Sequence, residues 1–114
     1  MAHDIRTPVL DILNSADIIA RALQEHTLEE YLGDVFLRSV VERQFITIGE
    51  ALSRIRRMDS SIFDTIPNAP AIVAFRNVLV HGYDAIDDEI VWIAATTRLK
   101  TLTDTLRWLM HQLT

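Results

Sequence analysis

Apolar residues recur at intervals of three and four along most of this chain, which is the spacing of one face of an α-helix. The first such stripe follows Thr7 and Pro8, which are typical of an N-cap and of the first helical position. We therefore predict a first helix from Thr7 to about His26. Its apolar stripe consists of Val9, Ile12, Leu13, Ala16, Ile19, Ala20 and Leu23.

A longer stripe in the middle of the chain predicts a second long helix over residues 34–57. Its apolar members are Leu37, Val41, Phe45, Ile48, Leu52 and Ile55. Between the two long helices, Thr27 and Glu30 have the spacing of a capping box. This pair predicts a short extra helix over residues 28–32, which Gly33 ends.

A predicted break over residues 59–70 separates the second long helix from the third main helix. Asp59-Ser60-Ser61 is expected to end the long helix, and residues 66–70 contain two prolines that force extended backbone before each of them. A third main helix is predicted over residues 71–81. Gly82 takes the usual position of a glycine just past a helix end.

The last predicted helix begins at the acidic residues 87–89, whose negative charge matches the dipole of a helix start. It continues to Leu113, with a bend near Thr96-Thr97. The predicted fold is therefore all-α: an antiparallel up-and-down bundle of four main helices with one short extra helix, forming a single domain over residues 1–114.

Composition excludes several other classes of protein. Three Gly and three Pro among 114 residues are too few for the frequent turns of an all-β fold. The absence of Cys excludes disulfide scaffolds, Cys-ligated zinc and thiol nucleophiles. The longest apolar runs are about six residues, far below the roughly 20 of a membrane span, and the N-terminus does not resemble a signal peptide. We expect a cytoplasmic protein without contact with a membrane.

The formal net charge of −5 argues at first against a nucleic-acid partner, because phosphate binding is driven by positive charge. The charge is unevenly distributed: five Arg and two Glu give residues 38–57 a local charge of +3. Ten of the eleven basic residues are Arg, which suits bidentate contacts with carboxylates and phosphates. Surface ion pairs between helices would explain most of these arginines equally well.

Metal and cofactor motifs are not found in the sequence. The four histidines, His3, His26, His81 and His111, include no pair at the i, i+4 spacing of a helical zinc site. The acidic group Asp84, Asp87, Asp88 and Glu89 lacks the pattern of a calcium loop, and a helix start explains it. We therefore expect neither a metal nor a cofactor.

A group of polar residues stands at the end of the otherwise apolar third main helix: Arg76, Asn77, His81 and Tyr83. Polar groups in such a helix cost free energy unless they are paired or useful. Arg76 and His81 are five residues apart, about 140° around an ideal helix, so they share one face only if the last turn opens or a second chain completes the site. Taken alone, this group is explained either by catalysis or by a capped helix end with a stacked Tyr.

The same residues resemble a known family signature. Arg76, His81 and Tyr83 have the spacing of the R-x4-H-x-Y motif of the HepT-like ribonuclease toxins, a branch of the HEPN superfamily. Residues 45–51 are similar to the family's apolar-x-Ile-Gly-Glu-Ala stretch, and the order of the segments after residue 66 also follows the family. The chain departs from it at Val78, where relatives often carry a polar residue, and by lacking the Trp often found within residues 68–71.

The resemblance implies a metal-independent endoribonuclease toxin of a type II toxin–antitoxin pair, cleaving RNA through the ribose 2′-hydroxyl. It implies His81 as general acid or base and Arg76 as the phosphate-binding residue. Asn77 would position the phosphate or His81, while Glu50 would pair with Arg76 or with an Arg of a second chain. An exposed Glu50 without such a role is the alternative.

The implied partners are a second copy of the chain and a minimal nucleotidyltransferase antitoxin that adds AMP to Tyr83, within a larger hetero-oligomer. The homodimer would place both copies of the motif in one cleft, with the third main helix at the interface. Arg54, Arg56 or Arg57 could then make this cleft positive on an acidic protein. Two other functions remain open: a non-catalytic nucleotide-binding or interaction subunit beside a nucleotidyltransferase, and a purely structural helical dimer.

Overall fold

The computed structural model describes residues 4–114, apart from the side chain of Tyr83, and these residues form helices joined by short turns. The α-helices are α1 (Arg6–Leu23), α2 (Leu28–Gly33), α3 (Val35–Met58), α4 (Ser60–Thr65), α5 (Ala69–His81), α6 (Asp88–Ile93) and α7 (Leu99–Leu113). A 3-10 turn follows α5 at Tyr83–Ala85, and a π-helical segment, Ala94–Arg98, joins α6 to α7. The predicted all-α helical bundle is therefore confirmed.

In the core, α1 packs against both α3 and α7, and α5 packs on α3. Many of the residues with almost no exposed surface come from the predicted apolar stripes, among them Val9, Ile12, Ile19, Val41, Ile48, Leu52, Ile55, Leu102 and Leu106. Burial of each such side chain contributes roughly 1.5–3 kcal/mol to folding, which explains why the stripes determine the arrangement of the helices. None of the described helices has the length and apolar character needed to cross a membrane.

Several predicted helix ends are wrong, each for a local reason. The first helix begins at Arg6, because the carboxylate of Asp4 accepts from the backbone N–H of Arg6 and no Thr7 cap forms. That helix ends at Leu23, three residues before His26. The third main helix begins at Ala69, since Pro70 is tolerated in a first turn where its missing N–H would be unpaired. Residue 69 is therefore helical rather than extended.

The region predicted as a break after the second long helix contains a short helix instead. Asp59 ends α3 and accepts from the N–H of Ile62, which caps α4. The bend predicted near Thr96-Thr97 coincides with the π-helical segment, where both hydroxyls donate to carbonyls four residues earlier. The capping box of Thr27 and Glu30 is formed as predicted.

Candidate active site

The helix that carries the candidate residues, α5, lies unusually close to α3. Gly49 of α3 faces Arg76, and a Cβ atom built on this glycine would collide with the Cβ of Arg76. One helical turn before Gly49, the ring of Phe45 packs edge to face against the ring of Phe75, with centroids 5.4 Å apart. Glycine is required at position 49 because only the absence of a side chain allows the two helices this approach.

The close approach brings the guanidinium of Arg76 to the surface of α3. Its Nη2 donates to Oε1 of Glu50 at 3.3 Å, and its Nη1 donates to Oδ1 of Asn77 at 3.0 Å. The side chain of Arg76 is only 28% exposed. Two neighbours therefore hold the guanidinium in one orientation at the edge of the α3–α5 contact.

His81 is the last residue of α5 and is exposed. It lies about 7.5 Å further along the helix axis than Arg76 and about 140° around it. Asn77 stands between them: it contacts Arg76 directly, and it precedes His81 by four residues, so the two share one face of the helix. The side chain of Tyr83 lies outside the described residues, as does His3.

An open cleft of about 480 Å³ adjoins Arg76 between α3 and α5. We call it the arginine cleft, and its lining consists of Thr47, Glu50, Ser53, Arg54, Arg57 and Arg76. Three arginines and one glutamate give this lining a charge of +2 on a chain whose net charge is −5. The cleft can therefore attract an anion.

The three arginines of the cleft differ in their partners. Arg54 pairs with Asp11 of α1, and Arg76 pairs with Glu50. Arg57 forms no ion pair with any residue that the structure describes. The neighbouring Arg56 instead points to the ring of Phe63, 5.2 Å from its centroid. Arg57 is thus the cation of the cleft that an incoming anion can reach without displacing a carboxylate.

The outer face of α5 is exposed yet uncharged. The exposed residues of this helix are Pro70, Ala71, Ala74, Asn77, Val78, Val80 and His81. Beside it, an apolar groove of about 140 Å³ separates α5 from the C-terminal helix, with Phe75, Ile90 and Ala94 among its lining residues. Ile90 is 58% exposed. Contiguous apolar surface of this kind is typical of a protein–protein contact.

A second polar cluster lies where α2 packs against both α3 and α6. Burial raises the pKa of Glu42, the nearby carboxylate of Asp88 raises it further, and Arg38 opposes both effects. The hydroxyl of Tyr31 is buried there and has no hydrogen-bond partner among the described residues. Burial also raises the pKa of Tyr31. Its ring packs against Trp92 with centroids 5.6 Å apart, which indicates a structural role for the cluster.

The acidic residues 87–89 form the N-terminus of α6, as the sequence predicted. Asp87 accepts from the N–H groups of Glu89 and Ile90 and so caps the helix. Among residues 4–114, apart from the Tyr83 side chain, no three His, Asp or Glu side chains converge in a way that could hold a metal ion. The candidate site presents imidazole, guanidinium, carboxylate and amide groups, from His81, Arg76, Glu50 and Asn77.

Of the residues singled out in the sequence, the structure brings Arg76, Asn77 and Glu50 into direct contact and places His81 one helical turn beyond Asn77. Glu50 pairs with Arg76 of its own chain. The sequence reasoning did not identify the lining residues Thr47 and Ser53 or the role of Gly49. Thr47 and Ser53 belong to a polar stripe at intervals of three and four on α3, opposite to the apolar stripe, and Gly49 lies outside this stripe.

Comparison with known proteins places the chain among ribonucleases. The family model described as "Ribonuclease HepT-like" matches residues 12–109. Two relatives from Methanocaldococcus jannaschii, both named "Putative RNase", are 30% and 29% identical to the chain. The first alignment covers 79% of this chain and 82% of the relative, and the second covers 78% and 73%. No solved structure matches the chain.

Proposed function

The chain belongs to the HepT-like ribonuclease family, and from that premise we propose that it is a metal-independent endoribonuclease whose catalytic residues are Arg76 and His81. One observation carries the proposal. Arg76 is fixed by Glu50 and Asn77 at the edge of a positive cleft, and the exposed His81 follows on the same helix. Because Arg76 and His81 lie about 140° apart around the helix, the imidazole that meets a phosphate on Arg76 would come from a second copy of the chain.

The chemistry requires only these groups. The imidazole of His81 can act as a general base and remove the proton from a ribose 2′-hydroxyl. The 2′-oxygen then attacks the adjacent phosphorus, the bond to the 5′-oxygen breaks, and that oxygen takes up a proton. The products are a 2′,3′-cyclic phosphate and a free 5′-hydroxyl. Arg76 stabilises the negative charge that develops on the phosphoryl oxygens.

We propose that the active form is a homodimer whose interface includes the outer face of α5. This face is exposed and uncharged, and the apolar groove beside it extends the same surface. A two-fold axis near α5 would place both copies of Arg76 and His81 around one RNA strand. It would also supply two imidazoles, one to remove the 2′-proton and one to protonate the leaving oxygen.

We further propose that the protein is the toxin of a type II toxin–antitoxin pair and that a minimal nucleotidyltransferase is the antitoxin. The antitoxin would transfer AMP from ATP to the hydroxyl of Tyr83, forming a Tyr–phosphate bond and releasing pyrophosphate. The added phosphate would lie two residues from His81 in the chain. A negative charge at this position repels an RNA phosphate and so explains the inactivation.

The test is RNA cleavage by the purified protein with EDTA present. We expect cleavage by the wild type and a loss of at least about a hundredfold in His81→Ala, the scale of general acid–base catalysis. Circular dichroism checks that the variant remains folded. Equal cleavage by both proteins contradicts the catalytic assignment. Binding of AMP or ATP without any cleavage would favour the alternative, a non-catalytic nucleotide-binding subunit.

A further inference from the structure

The arginine cleft extends well beyond the contact between Arg76 and Glu50. Thr47, Glu50, Arg54 and Arg57 follow one another on α3 at intervals of three, four and three, so they form one stripe along the helix. Arg76 meets this stripe at Glu50. From there, Arg54 lies about 6 Å and Arg57 about 10 Å further along the axis of α3, which is more than the length needed for a single phosphate group.

We propose that Arg57 and Arg54 bind a phosphate of the RNA strand that neighbours the scissile one. The inference rests on the proposed ribonuclease function, in which Arg76 binds the scissile phosphate. A strand with one phosphate on Arg76 would pass along the cleft, and its neighbouring phosphate would meet Arg54 and Arg57. Guanidinium groups suit this role because their planar donors match two phosphate oxygens at once.

The charges of the cleft support an anion as its occupant. Its lining has a charge of +2, although the whole chain is acidic. Arg57 has no carboxylate partner among the described residues, so its charge is available to a ligand. The hydroxyl of Ser53, one helical turn before Arg57, adds a possible donor at the same place.

The cost of holding these arginines also points to a role beyond folding. The Nε–H groups of Arg54 and Arg76 are buried and have no acceptor among the described residues. An unsatisfied buried donor is unfavourable. A phosphate would bind the outer Nη groups of these side chains, so a binding role would account for guanidinium groups being held here at this cost.

The experiment compares two substrates that differ in the neighbouring phosphate. A single-stranded RNA of eight nucleotides can occupy the whole cleft, whereas a dinucleoside monophosphate carries only the scissile phosphate. For Arg57→Gln we expect KM for the octamer to rise about tenfold with kcat little changed, the effect of one lost charge-assisted contact. For the dinucleoside monophosphate we expect kcat/KM to stay unchanged.

The control is Arg21→Gln, which removes the same charge from an exposed position on α1. The salt dependence gives a second readout: the slope of log affinity against log salt for the octamer should fall by about 0.7 in Arg57→Gln and stay unchanged in the control. An octamer KM equal to that of the control, or equal losses on both substrates, would overturn the proposal.

A binding measurement distinguishes failure of the proposed phosphate site from failure of the proposed ribonuclease function. Octamer binding is measured by fluorescence anisotropy in the His81→Ala background, with and without Arg57→Gln. A loss of binding in the double variant supports the phosphate site whether or not the protein cleaves RNA. Unchanged RNA binding in the double variant overturns the phosphate site. If Arg57→Gln instead weakens binding of a purified nucleotidyltransferase partner, the cleft serves a protein contact.

Discussion

Gly49 of α3 lies directly against Arg76 of α5: a Cβ atom on this glycine would overlap the Cβ of Arg76 and come within 2.8 Å of its Cγ. The backbone of α5 adds a further constraint, because the carbonyl oxygen of Ile72 would be 3.5 Å away. This contact fixes where the guanidinium enters the arginine cleft, so the position of the proposed phosphate-binding group depends on a missing side chain.

We therefore expect Gly49→Ala to destabilise the protein by about 1–3 kcal/mol, the usual cost of overpacking. Urea denaturation measures the change. Gly33→Ala is the matched control, because a Cβ there meets no atom within 4 Å and its φ is not positive. Ala at position 33 should leave stability unchanged or raise it by up to about 1 kcal/mol. Equal stability of the two variants would show that α3 and α5 do not pack this closely.

Two substitutions of Glu50 separate the effect of its negative charge from its effect on the position of Arg76. Glu50→Gln retains an oxygen that accepts from Arg76 but removes a negative charge from the cleft. A unit charge at about 4 Å contributes roughly 1 kcal/mol in water-like surroundings, so KM for RNA should fall about fivefold with kcat retained. Glu50→Ala removes the acceptor as well and should lower kcat. Identical kinetics for the two variants would refute the positioning role of Glu50.

The proposed dimer predicts the effect of a charge on the outer face of α5. Val78→Glu should convert a dimer to a monomer, since a two-fold axis brings two like charges into the same apolar interface. Val40→Glu on α3 is the control, because the two valines are similarly exposed, at 39% and 41%. Sedimentation measures the mass and RNA cleavage the activity. A wild-type monomer, or a Val78→Glu dimer, would exclude this interface.

The buried cluster around Glu42 predicts a dependence of stability on pH. Its folded-state pKa is raised above the usual 4.5, mainly by burial, so the native state binds a proton more tightly than the unfolded state. The free energy of unfolding therefore falls as pH rises from about 4.5 through the folded-state pKa. Glu42→Gln removes this effect and should raise Tm at pH 7 but not at pH 4. Glu29→Gln, at an exposed position on α2, should show no such gain.

The parts of the fold that were predictable are those with long apolar stripes. The stripes of α1, α3 and α7 repeat over several turns, and their burial dominates the energy of the bundle. The six residues of α4 are too few to show such a period, and the cap at Asp59 has the same composition as a helix break. The start of α5 was missed for a similar reason, because proline is compatible with both a first turn and a loop.

The candidate site also has one part that the sequence predicts and another that only the structure reveals. Arg76, Asn77 and His81 stand out in the sequence because they are polar residues in an apolar helix. The arginine cleft does not, because the convergence of Arg54 and Arg57 with Arg76 depends on how closely α5 crosses α3 at Gly49. Sequence spacing describes neighbours within one helix, whereas contacts between helices require the packing of both.

The modest anchoring of α5 affects how the protein fluctuates. This helix contributes three buried residues, Ala69, Val73 and Leu79, whereas α3 contributes eight. Segments with few buried contacts open locally at a lower free-energy cost than the rest of a domain, so we expect amide hydrogens of α5 to exchange with solvent sooner than those of α3. The proposed second chain or RNA strand would suppress this opening if it bound along α5. Ligand occupancy and local order of the helix are thus thermodynamically linked.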